Sequence, residues 1–290
     1  MDLADRFADV STGVRLHYVE AGEGPLVVLL HGFPEFWWSW RHQIPVLAEA
    51  GFRVVAPDLR GYGQSDAPPR WQDYRVETLA ADVAGLIEAL GEERAFVVGH
   101  DWGAVVAWMV ATLHPERVER LAILNVPHPD TMLQTLRRSP RQLLHSWYIF
   151  FFQIPWLPET AARLAGRRFL EGAYRDARPG AFTAEDIARY EDALLRSPGG
   201  LKGPIDFYRA AARRDPRKAG ELYRPIPAPV LVIWGVQDRF LTEAMAEPDP
   251  KWVPDCRVVK LPDASHWVQH DEPERVSTLL IEHFRGGPPA

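Results

Sequence analysis

The sequence predicts an α/β fold: a mainly parallel, eight-stranded sheet with helices on both faces and a helical lid inserted between two strands. Short runs rich in Val, Leu and Ile recur along the chain without alternation, which is typical of parallel strands buried on both faces. Helical patterns separate most of these runs, and strand–helix–strand order favours a parallel sheet. One long stretch near the middle of the chain contains helix-like pieces and no convincing strand.

Eight segments fit the strands of such a sheet. The first two are amphipathic and are joined by Thr12-Gly13, a turn-forming pair, and the other six are short apolar runs. In chain order, the predicted strands are residues 7–11, 14–20, 26–30, 53–56, 95–98, 121–124, 230–234 and 257–261. Ligands of a parallel sheet bind outside the carboxyl ends of its strands, so we expect the functional site there.

Three helices are predicted between and after these strands. Residues 76–90 carry an apolar stripe with the 3.6-residue spacing of a helix, and Gly91 ends it. Residues 103–113 are apolar on all sides, as expected of a helix buried under a sheet. Residues 274–284 form the last predicted helix.

The stretch at 127–216 breaks the alternation of strands and helices. It contains many aromatic residues, several arginines and helix-like pieces separated by prolines. A structureless loop of this length is uncommon in a compact domain, so we expect a helical lid domain instead. The core domain then comprises residues 1–126 and 217–290.

The composition excludes several classes of protein. Lys and Arg number 33 against 39 Asp and Glu in 290 residues, so a nucleic-acid-binding surface is not expected. A single cysteine excludes a disulfide framework and a cysteine-based metal cluster. The N-terminus lacks a signal-peptide pattern, and the longest apolar runs are too short to span a bilayer. The sequence therefore predicts a cytoplasmic protein without membrane segment, metal or cofactor, and it leaves homo-oligomerisation open.

The segment from Phe96 to Ala107 has the form of a turn that presents a nucleophile. Gly99 and Gly103 allow a strand-to-helix turn that is too tight for side chains at these two positions. The central residue of the turn is then held in a strained, exposed conformation. That residue is Asp101. A carboxylate attacks saturated carbon without a base and forms an ester that water can hydrolyse, which favours epoxides or alkyl halides as substrates. The structural alternative is that Asp101 caps the following helix.

Hydrolysis of such an ester requires a base that is oriented by an acid. His266 follows the last predicted strand and is the predicted base. Asp238 follows the strand at 230–234 and is the predicted acid, whereas Asn125 holds the equivalent place after the preceding strand and carries no charge. His266 and His270 have the spacing of a metal-binding pair, but the sequence offers no obvious third ligand.

The same hydrolysis needs backbone amides that stabilise an oxyanion. The amide of Trp102 directly follows the nucleophile and is one predicted donor. The loop after the third strand, which begins with His31-Gly32, is predicted to supply the other through the amide of Phe33. Pro34 fixes the path of this loop.

Four segments resemble the epoxide hydrolases of the α/β-hydrolase superfamily, and the resemblance covers nearly the whole chain. They are residues 31–43 (HGFPEFWWSWRHQ), 58–66 (DLRGYGQSD), 99–103 (GHDWG) and 265–267 (SHW). The resemblance implies that two lid tyrosines hydrogen-bond the epoxide oxygen and act as acids during ring opening. Residues 146–155 (SWYIFFFQIP) and 201–209 (LKGPIDFYR) are two further matching motifs, and they give these roles to Tyr148 and Tyr208, with Tyr174 and Tyr190 as alternatives.

The resemblance also implies that the substrates are a small apolar epoxide and water, that an ester of Asp101 is the intermediate, and that a vicinal diol is the product. The expected substrate-binding residues are Pro34, Trp102, Phe152 and Trp267. Seven of the 11 tryptophans lie beside the matching motifs, which predicts an apolar, water-restricted site.

Two other functions stay open. A haloalkane or haloacid dehalogenase uses the same nucleophile, base and acid, but a departing halide needs no proton, so paired lid tyrosines favour epoxide hydrolysis. A non-catalytic ligand-binding protein of the same fold is the second alternative. The complete set of expected catalytic side chains disfavours it: Asp101, Asp238, His266, Tyr148 and Tyr208.

Overall fold

The centre of the protein is a single sheet of eight strands, seen in a computed structural model that describes residues 3–139, 142, 144, 147–197, 199–215 and 219–287. In chain order the strands are β1 (Ala4–Asp9), β2 (Arg15–Ala21), β3 (Leu26–Leu30), β4 (Arg53–Pro57), β5 (Ala95–His100), β6 (Val118–Leu124), β7 (Val230–Gly235) and β8 (Cys256–Leu261). Across the sheet their order is β1-β2-β4-β3-β5-β6-β7-β8. Only β2 runs against the others, since it pairs antiparallel with both β1 and β4. The predicted mainly parallel, eight-stranded sheet is confirmed.

All eight predicted strands are present, and one of them is displaced along the chain. The sequence places the first strand at 7–11, but β1 ends at Asp9 because the following residues form the turn into β2. In that turn the Gly13 amide donates a hydrogen bond to the Val10 carbonyl at 2.9 Å. Gly13 has a φ of 81°, which glycine adopts without steric cost.

Helices cover both faces of the sheet. The described α-helices are α1 (Gln43–Glu49), α2 (Val76–Ala89), α3 (Trp102–Leu113), α4 (Pro129–Arg138), α5 (Trp147–Phe151), α6 (Leu157–Ala165), α7 (Arg167–Ala173), α8 (Ala184–Glu191), α9 (Lys202–Ala212), α10 (Val268–Asp271) and α11 (Pro273–Phe284). Side chains of α2 and α3 pack on one face, and those of α1 and α11 pack on the other. The three predicted helices correspond to α2, α3 and α11. Within the described ranges, no helix has the length and apolar character needed to cross a membrane.

A helical segment lies between β6 and β7, as predicted. Its described residues form helices α4 to α9 and contain no strand. Two core side chains hold this segment at α8, where Trp38 Nε1 donates to Asp186 Oδ1 at 2.8 Å and Arg41 Nε lies 3.0 Å from the same oxygen. We call residues 127–216 the lid; their division from a core of 1–126 and 217–290 stays a prediction.

The junction of β5 and α3 has no room for side chains at two positions. A Cβ atom on Gly99 would lie 2.4 Å from the carbonyl oxygen of Gly103. A Cβ atom on Gly103 would lie 2.2 Å from the Leu30 carbonyl oxygen and 2.5 Å from that of His31. These neighbours are backbone atoms, so no change of rotamer relieves the contact. Glycine at both positions lets α3 begin against the ends of β3 and β5, which fixes the residue between them.

Gly103→Ala is expected to lower the free energy of unfolding by about 3 kcal/mol, because the added methyl group overlaps backbone oxygens. The measurement is urea denaturation followed by circular dichroism. Gly172→Ala is the matched control, since Gly172 is also helical and a Cβ atom there meets nothing within 4 Å. It should stabilise the protein by about 0.4–1 kcal/mol. Equal effects of the two substitutions would contradict the steric explanation.

Candidate active site

Asp101 occupies the tip of the turn between β5 and α3. Its backbone has φ 47° and ψ −122°, a conformation that few residues other than glycine adopt. Among the described contacts, the side chain makes no capping hydrogen bond to α3, so the capping alternative finds no support. Instead, Oδ1 accepts a hydrogen bond from the Phe33 amide at 2.7 Å. The turn therefore presents the carboxylate to the loop after β3.

His31 holds that loop in place. Its Nε2 accepts a hydrogen bond from the Leu59 amide at 3.0 Å, and its Nδ1 lies 3.0 Å from the Gly32 carbonyl oxygen. A neutral ring with its proton on Nδ1 satisfies both partners, since an amide only donates and a carbonyl only accepts. Burial lowers the pKa of His31, which favours this neutral form. Further along the loop, the Phe33-Pro34 peptide bond is cis. The loop directs the Phe33 amide at the carboxylate of Asp101.

Trp102, the other predicted amide donor, is the first residue of α3. An amide at this position has no acceptor within its own helix, which leaves it free to bind an oxyanion. The indole ring lies 4.9 Å from the ring of Tyr208 and 5.5 Å from that of Phe207, between centroids. The position fits the predicted role, and the role itself stays a prediction.

His266 connects two carboxylates. Its Nε2 lies 3.5 Å from Asp101 Oδ2, and its Nδ1 lies 2.7 Å from Asp238 Oδ2. The backbone carbonyl of His266 accepts a hydrogen bond from His100 Nε2 at 2.9 Å, so His100 faces away from the nucleophile as its place in the turn predicts. The three predicted side chains thus form a continuous Asp–His–Asp chain, the geometry of a base oriented by an acid.

Asp238 is hydrogen-bonded to Asn125, which the sequence analysis considered only as an alternative position for the acid. Asn125 Nδ2 donates to Asp238 Oδ2 at 2.8 Å, while Asn125 Oδ1 accepts from the Gly235 amide at 2.8 Å. Asn125 follows β6 and Asp238 follows the neighbouring strand β7, so their shared position at one edge of the sheet was the signal that could have indicated this hydrogen bond. The second oxygen, Oδ1, accepts from the amides of Phe240 and Leu241 at 2.7 and 2.9 Å.

The charges of the Asp–His–Asp chain shift the pKa values of His266 and Asp101 in the directions that favour their ionised forms. Burial lowers the pKa of His266, but the carboxylates of Asp238 and Asp101 raise it more, so the pKa lies well above its ordinary value. Burial raises the pKa of Asp101, but the hydrogen bond and charge of His266 lower it more, and the net shift is downward. In the resting protein, Asp101 is therefore a carboxylate beside an imidazolium.

The two tyrosines expected from the resemblance lie together beside the Asp–His–Asp chain. The rings of Tyr148 in α5 and Tyr208 in α9 have centroids 5.9 Å apart. Tyr208 also packs 5.3 Å from the ring of Phe33 and 4.9 Å from that of Trp102. Tyr148 packs 5.9 Å from the ring of Phe240. Tyr208 therefore packs on the loop after β3 and on the start of α3, and Tyr148 packs on the loop that carries Asp238.

Both tyrosine hydroxyls are protonated at neutral pH. Burial, followed by the charge of Asp101, raises the pKa of Tyr148 and of Tyr208 above its ordinary value. The alternative tyrosines are engaged in structural bonds. Tyr174 donates to the Pro34 carbonyl oxygen at 2.5 Å, and the Tyr190 hydroxyl lies 3.4 Å from a carboxylate oxygen of the core.

That carboxylate is Glu35, a fully buried group that sequence reasoning did not identify. Its Oε2 lies 3.0 Å from His100 Nδ1, and its Oε1 lies 2.7 Å from His270 Nε2. Burial raises the pKa of Glu35, but the two histidines lower it more, and the net shift is downward. His270 is thus bound to Glu35 rather than directed toward His266 as a metal ligand.

The predicted substrate-binding residues lie beside other residues of the candidate site. Phe152 lies 5.4 Å from the ring of Phe33, and Trp267 lies 5.1 Å from the ring of His266, between centroids. Pro34 is buried and accepts the hydrogen bond of Tyr174. Their contact with a substrate stays a prediction.

The expectation that tryptophans beside the motifs line the site is wrong for three of them. Trp40 is fully buried in the core, while Trp147 and Trp156 are 64% and 74% exposed. Neighbouring residues of a helix point about 100° apart, so α5 turns Trp147 outward as it turns Tyr148 toward the site. The apolar wall of the site consists mainly of phenylalanine and tyrosine rings.

The fold is that of a hydrolase, and the Asp–His–Asp chain is the arrangement predicted for a carboxylate nucleophile. A sequence model described as the alpha/beta hydrolase fold matches residues 25–273. The chain is 41% identical over 280 residues to the AB hydrolase superfamily protein YfhM of Bacillus subtilis (strain 168), covering 95% of this chain and 96% of that one. It is 40% identical to epoxide hydrolase 4 of Homo sapiens, over 93% of this chain and 75% of that protein.

A solved structure agrees with these relatives. The crystal structure of epoxide hydrolase A from Mycobacterium thermoresistibile superposes with a TM-score of 0.83 and 34% identity, covering 100% of each chain. The chain belongs to the epoxide hydrolase family of the α/β-hydrolase superfamily. The fold class and the family predicted from the sequence are confirmed.

Asp101→Asn is expected to lower the pKa of His266, because it removes one of the two charges that stabilise the imidazolium. Histidine NMR titration measures the shift, and intact mass verifies that the new amide persists. His17 is the internal control: Asp58 and Asp5 raise its pKa against the opposing effect of burial, and it contacts neither Asp101 nor His266. An unchanged His266 titration would contradict the coupling.

Proposed function

We propose that this protein hydrolyses a small apolar epoxide to a vicinal diol through an ester of Asp101. The observation that carries the proposal is the arrangement around that carboxylate. One oxygen is bound by the Phe33 amide at 2.7 Å, and the other lies 3.5 Å from His266 Nε2. Two protonated tyrosines pack beside it, Tyr208 on Trp102 and Tyr148 on Phe240. The names of the related proteins support the same reaction.

The first step is ring opening. Asp101 Oδ2 attacks one epoxide carbon, the bond from that carbon to the ring oxygen breaks, and the oxygen accepts a proton from Tyr148 or Tyr208. An alkoxide is a poor leaving group, so this proton transfer supplies much of the rate. A carboxylate with a depressed pKa is ionised at neutral pH and needs no general base.

The second step is hydrolysis of the ester. Esterification removes the charge of Asp101, which lowers the pKa of His266, so the imidazolium gives its proton through solvent to the tyrosinate that ring opening leaves and becomes a base. His266 accepts a proton from water, which attacks the ester carbonyl carbon while Asp238 holds the ring. The Phe33 and Trp102 amides stabilise the oxyanion on Oδ1. The bond between that carbon and Oδ2 then breaks, Oδ2 takes the remaining proton of the attacking water, and the diol leaves with this oxygen. Asp101 is again a carboxylate and His266 an imidazolium.

The remaining parts of the proposal concern substrate and context. Pro34, Trp102, Phe152 and Trp267 bind the apolar part of the epoxide, and the lid at 127–216 restricts water. Cytoplasmic location and homo-oligomerisation stay predictions. The dehalogenase alternative lacks a use for the paired, protonated tyrosines, and the non-catalytic alternative lacks a use for the complete Asp–His–Asp chain.

His266→Gln is expected to stop the reaction after ring opening, because glutamine does not accept a proton from water. Incubation with styrene oxide should consume about one equivalent and raise the protein mass by the mass of the epoxide. Intact mass spectrometry makes the measurement. In the native protein, a single turnover in heavy-oxygen water should label Asp101 and leave the diol almost unlabelled.

The double variant Asp101→Asn with His266→Gln is the control and should form no adduct. Full labelling of the diol during the first turnover would refute the covalent route. Epoxide consumption by His266→Gln without an adduct would refute the assignment of the base.

Tyr148→Phe with Tyr208→Phe is expected to slow epoxide hydrolysis by about 10³-fold, since the oxygen leaves without a proton. Each single variant should retain part of the rate, and Tyr18→Phe on the distant strand β2 should retain all of it. The measurement is diol formation from an aryl and an aliphatic epoxide, beside bromide release from a bromoalkane. Bromide release without diol formation in the native protein would establish the dehalogenase alternative.

A further inference from the structure

The outer surface of the lid exposes large apolar side chains to an unusual degree. Ten large apolar side chains of the described residues are exposed, and seven of them lie between positions 144 and 164. These seven are 40–84% exposed and include the six most exposed of the ten: Leu144, Trp147, Phe150, Ile154, Trp156, Leu157 and Leu164. Contiguous exposed apolar surface of this kind marks an interaction site rather than ordinary surface.

Six of these residues lie on α5, on α6 and in the short turn that joins the two helices. Both helices line a single cavity of about 240 Å³, with Phe151 from α5 and Ala162 from α6 among its walls. In α6 the buried positions are Pro158 and Ala162. The exposed Leu157 and Leu164 are seven residues apart, so they share one outward face of the helix. We call the exposed apolar residues of 147–164 the lid patch.

The surroundings of the lid patch are basic. Residues 137–168 contain six arginines and one acidic residue, Glu159. The charge of Glu159 is already used, because it binds the buried Arg209 at 2.6 Å. Arg167 pairs with Glu171, whereas Arg163 and Arg168 are exposed and have no ion pair within the described part of the chain. A chain with net charge −6 thus carries a local excess of free positive charge beside its exposed tryptophans.

The cavity between α5 and α6 lies under the helices that carry the lid patch and borders the candidate active site. Its walls are almost wholly apolar and include Phe151, Phe152, Phe169 and Ile205. Phe152 separates it from the site, since its ring lies 4.8 Å from that of Tyr208 and 5.4 Å from that of Phe33. Arg168 stands at the same cavity.

We propose that the lid patch binds the surface of an anionic lipid bilayer and that the adjoining cavity admits apolar substrate from it. Exposed tryptophans and leucines beside free arginines are the composition of segments that lie in the membrane interface, where aromatic rings enter the headgroup region and arginines bind anionic lipids. The part of the proposal that concerns substrate entry rests on the proposed epoxide hydrolysis. Binding to the bilayer does not.

The same charges disfavour a second copy of the chain as the occupant. A symmetric dimer would place identical patches against each other, so the arginines around one patch would face those around the other. Juxtaposed like charges destabilise an interface, while anionic headgroups neutralise them.

The test is co-sedimentation of the full chain with vesicles of phosphatidylcholine containing about 30% phosphatidylserine. The native chain should sediment with these vesicles and far less with pure phosphatidylcholine. Trp156→Ser with Leu164→Ser should lower the partition coefficient by about tenfold or more. Arg163→Gln with Arg168→Gln should lower it by about 25-fold, on the basis of about fivefold per arginine.

Two matched controls separate the patch from general surface effects. Val46→Ser removes a side chain of α1 that is 40% exposed, and Arg275→Gln removes an exposed arginine of α11. Both should sediment as the native chain does. Circular dichroism melting should be the same for all variants, since every substituted side chain is exposed.

Equal sedimentation of the patch variants and the native chain, or none of the native chain, would refute membrane binding. A concentration-dependent dimer that Trp156→Ser with Leu164→Ser dissolves, without vesicle binding, would assign the patch to a second copy and overturn the proposal.

Substrate entry is measured with a long-chain alkyl epoxide dissolved in the same vesicles. Trp156→Ser with Leu164→Ser should lower turnover of the vesicle-bound epoxide by about tenfold and leave turnover of a water-soluble epoxide unchanged. Equal losses on both substrates would refute entry from the bilayer. Absence of turnover in the native chain would refute the proposed function instead, and the sedimentation result would stand apart from it.

Discussion

The left-handed backbone of Asp101 is the constraint on which the rest of the site depends. A residue with φ of 47° at this junction requires that the flanking positions have no side chains, which Gly99 and Gly103 satisfy. Gly32 meets the same demand from the facing loop, where a Cβ atom would lie 2.3 Å from Asp101 Cβ. Three chain segments therefore converge on one carboxylate, and the Phe33 amide reaches it only because of that convergence.

The electrostatics of the site follow from the same convergence. His266 lies between two buried carboxylates, so its resting state is an ion pair rather than a free base. A reaction that consumes the charge of Asp101 changes the proton affinity of His266 at the moment when a base is required. In the proposed reaction, the same side chains thus meet the opposite demands of two successive steps.

Much of this arrangement could be predicted from the sequence. The strand segments, the nucleophile turn and the positions of His266 and Asp238 all depend on local patterns: apolar runs, glycine spacing and polar residues directly after strands. The two tyrosines came from family resemblance rather than from pattern, because an aromatic residue in a helix carries no local mark of the side it faces.

Features that depend on the packing of distant segments could not be predicted. Trp147 and Tyr148 are adjacent in sequence, and only the docking of α5 on the core decides which of them is exposed. Glu35 is one acidic residue among many until His100 and His270 are brought against it from β5 and α10. Asn125 was correctly located at the end of a strand, but its hydrogen bond to Asp238 requires the neighbouring strand order β6–β7.

The hydrogen bonds around Asp238 have a consequence for the orientation of the His266 ring. An ionised carboxylate offers about four acceptor positions, and here four donors occupy them: His266, Asn125 and the amides of Phe240 and Leu241. These four contacts hold the carboxylate in one orientation, and two of the donors are backbone amides. Asp238 therefore fixes the plane of the imidazole of His266, whose Nε2 points at Asp101.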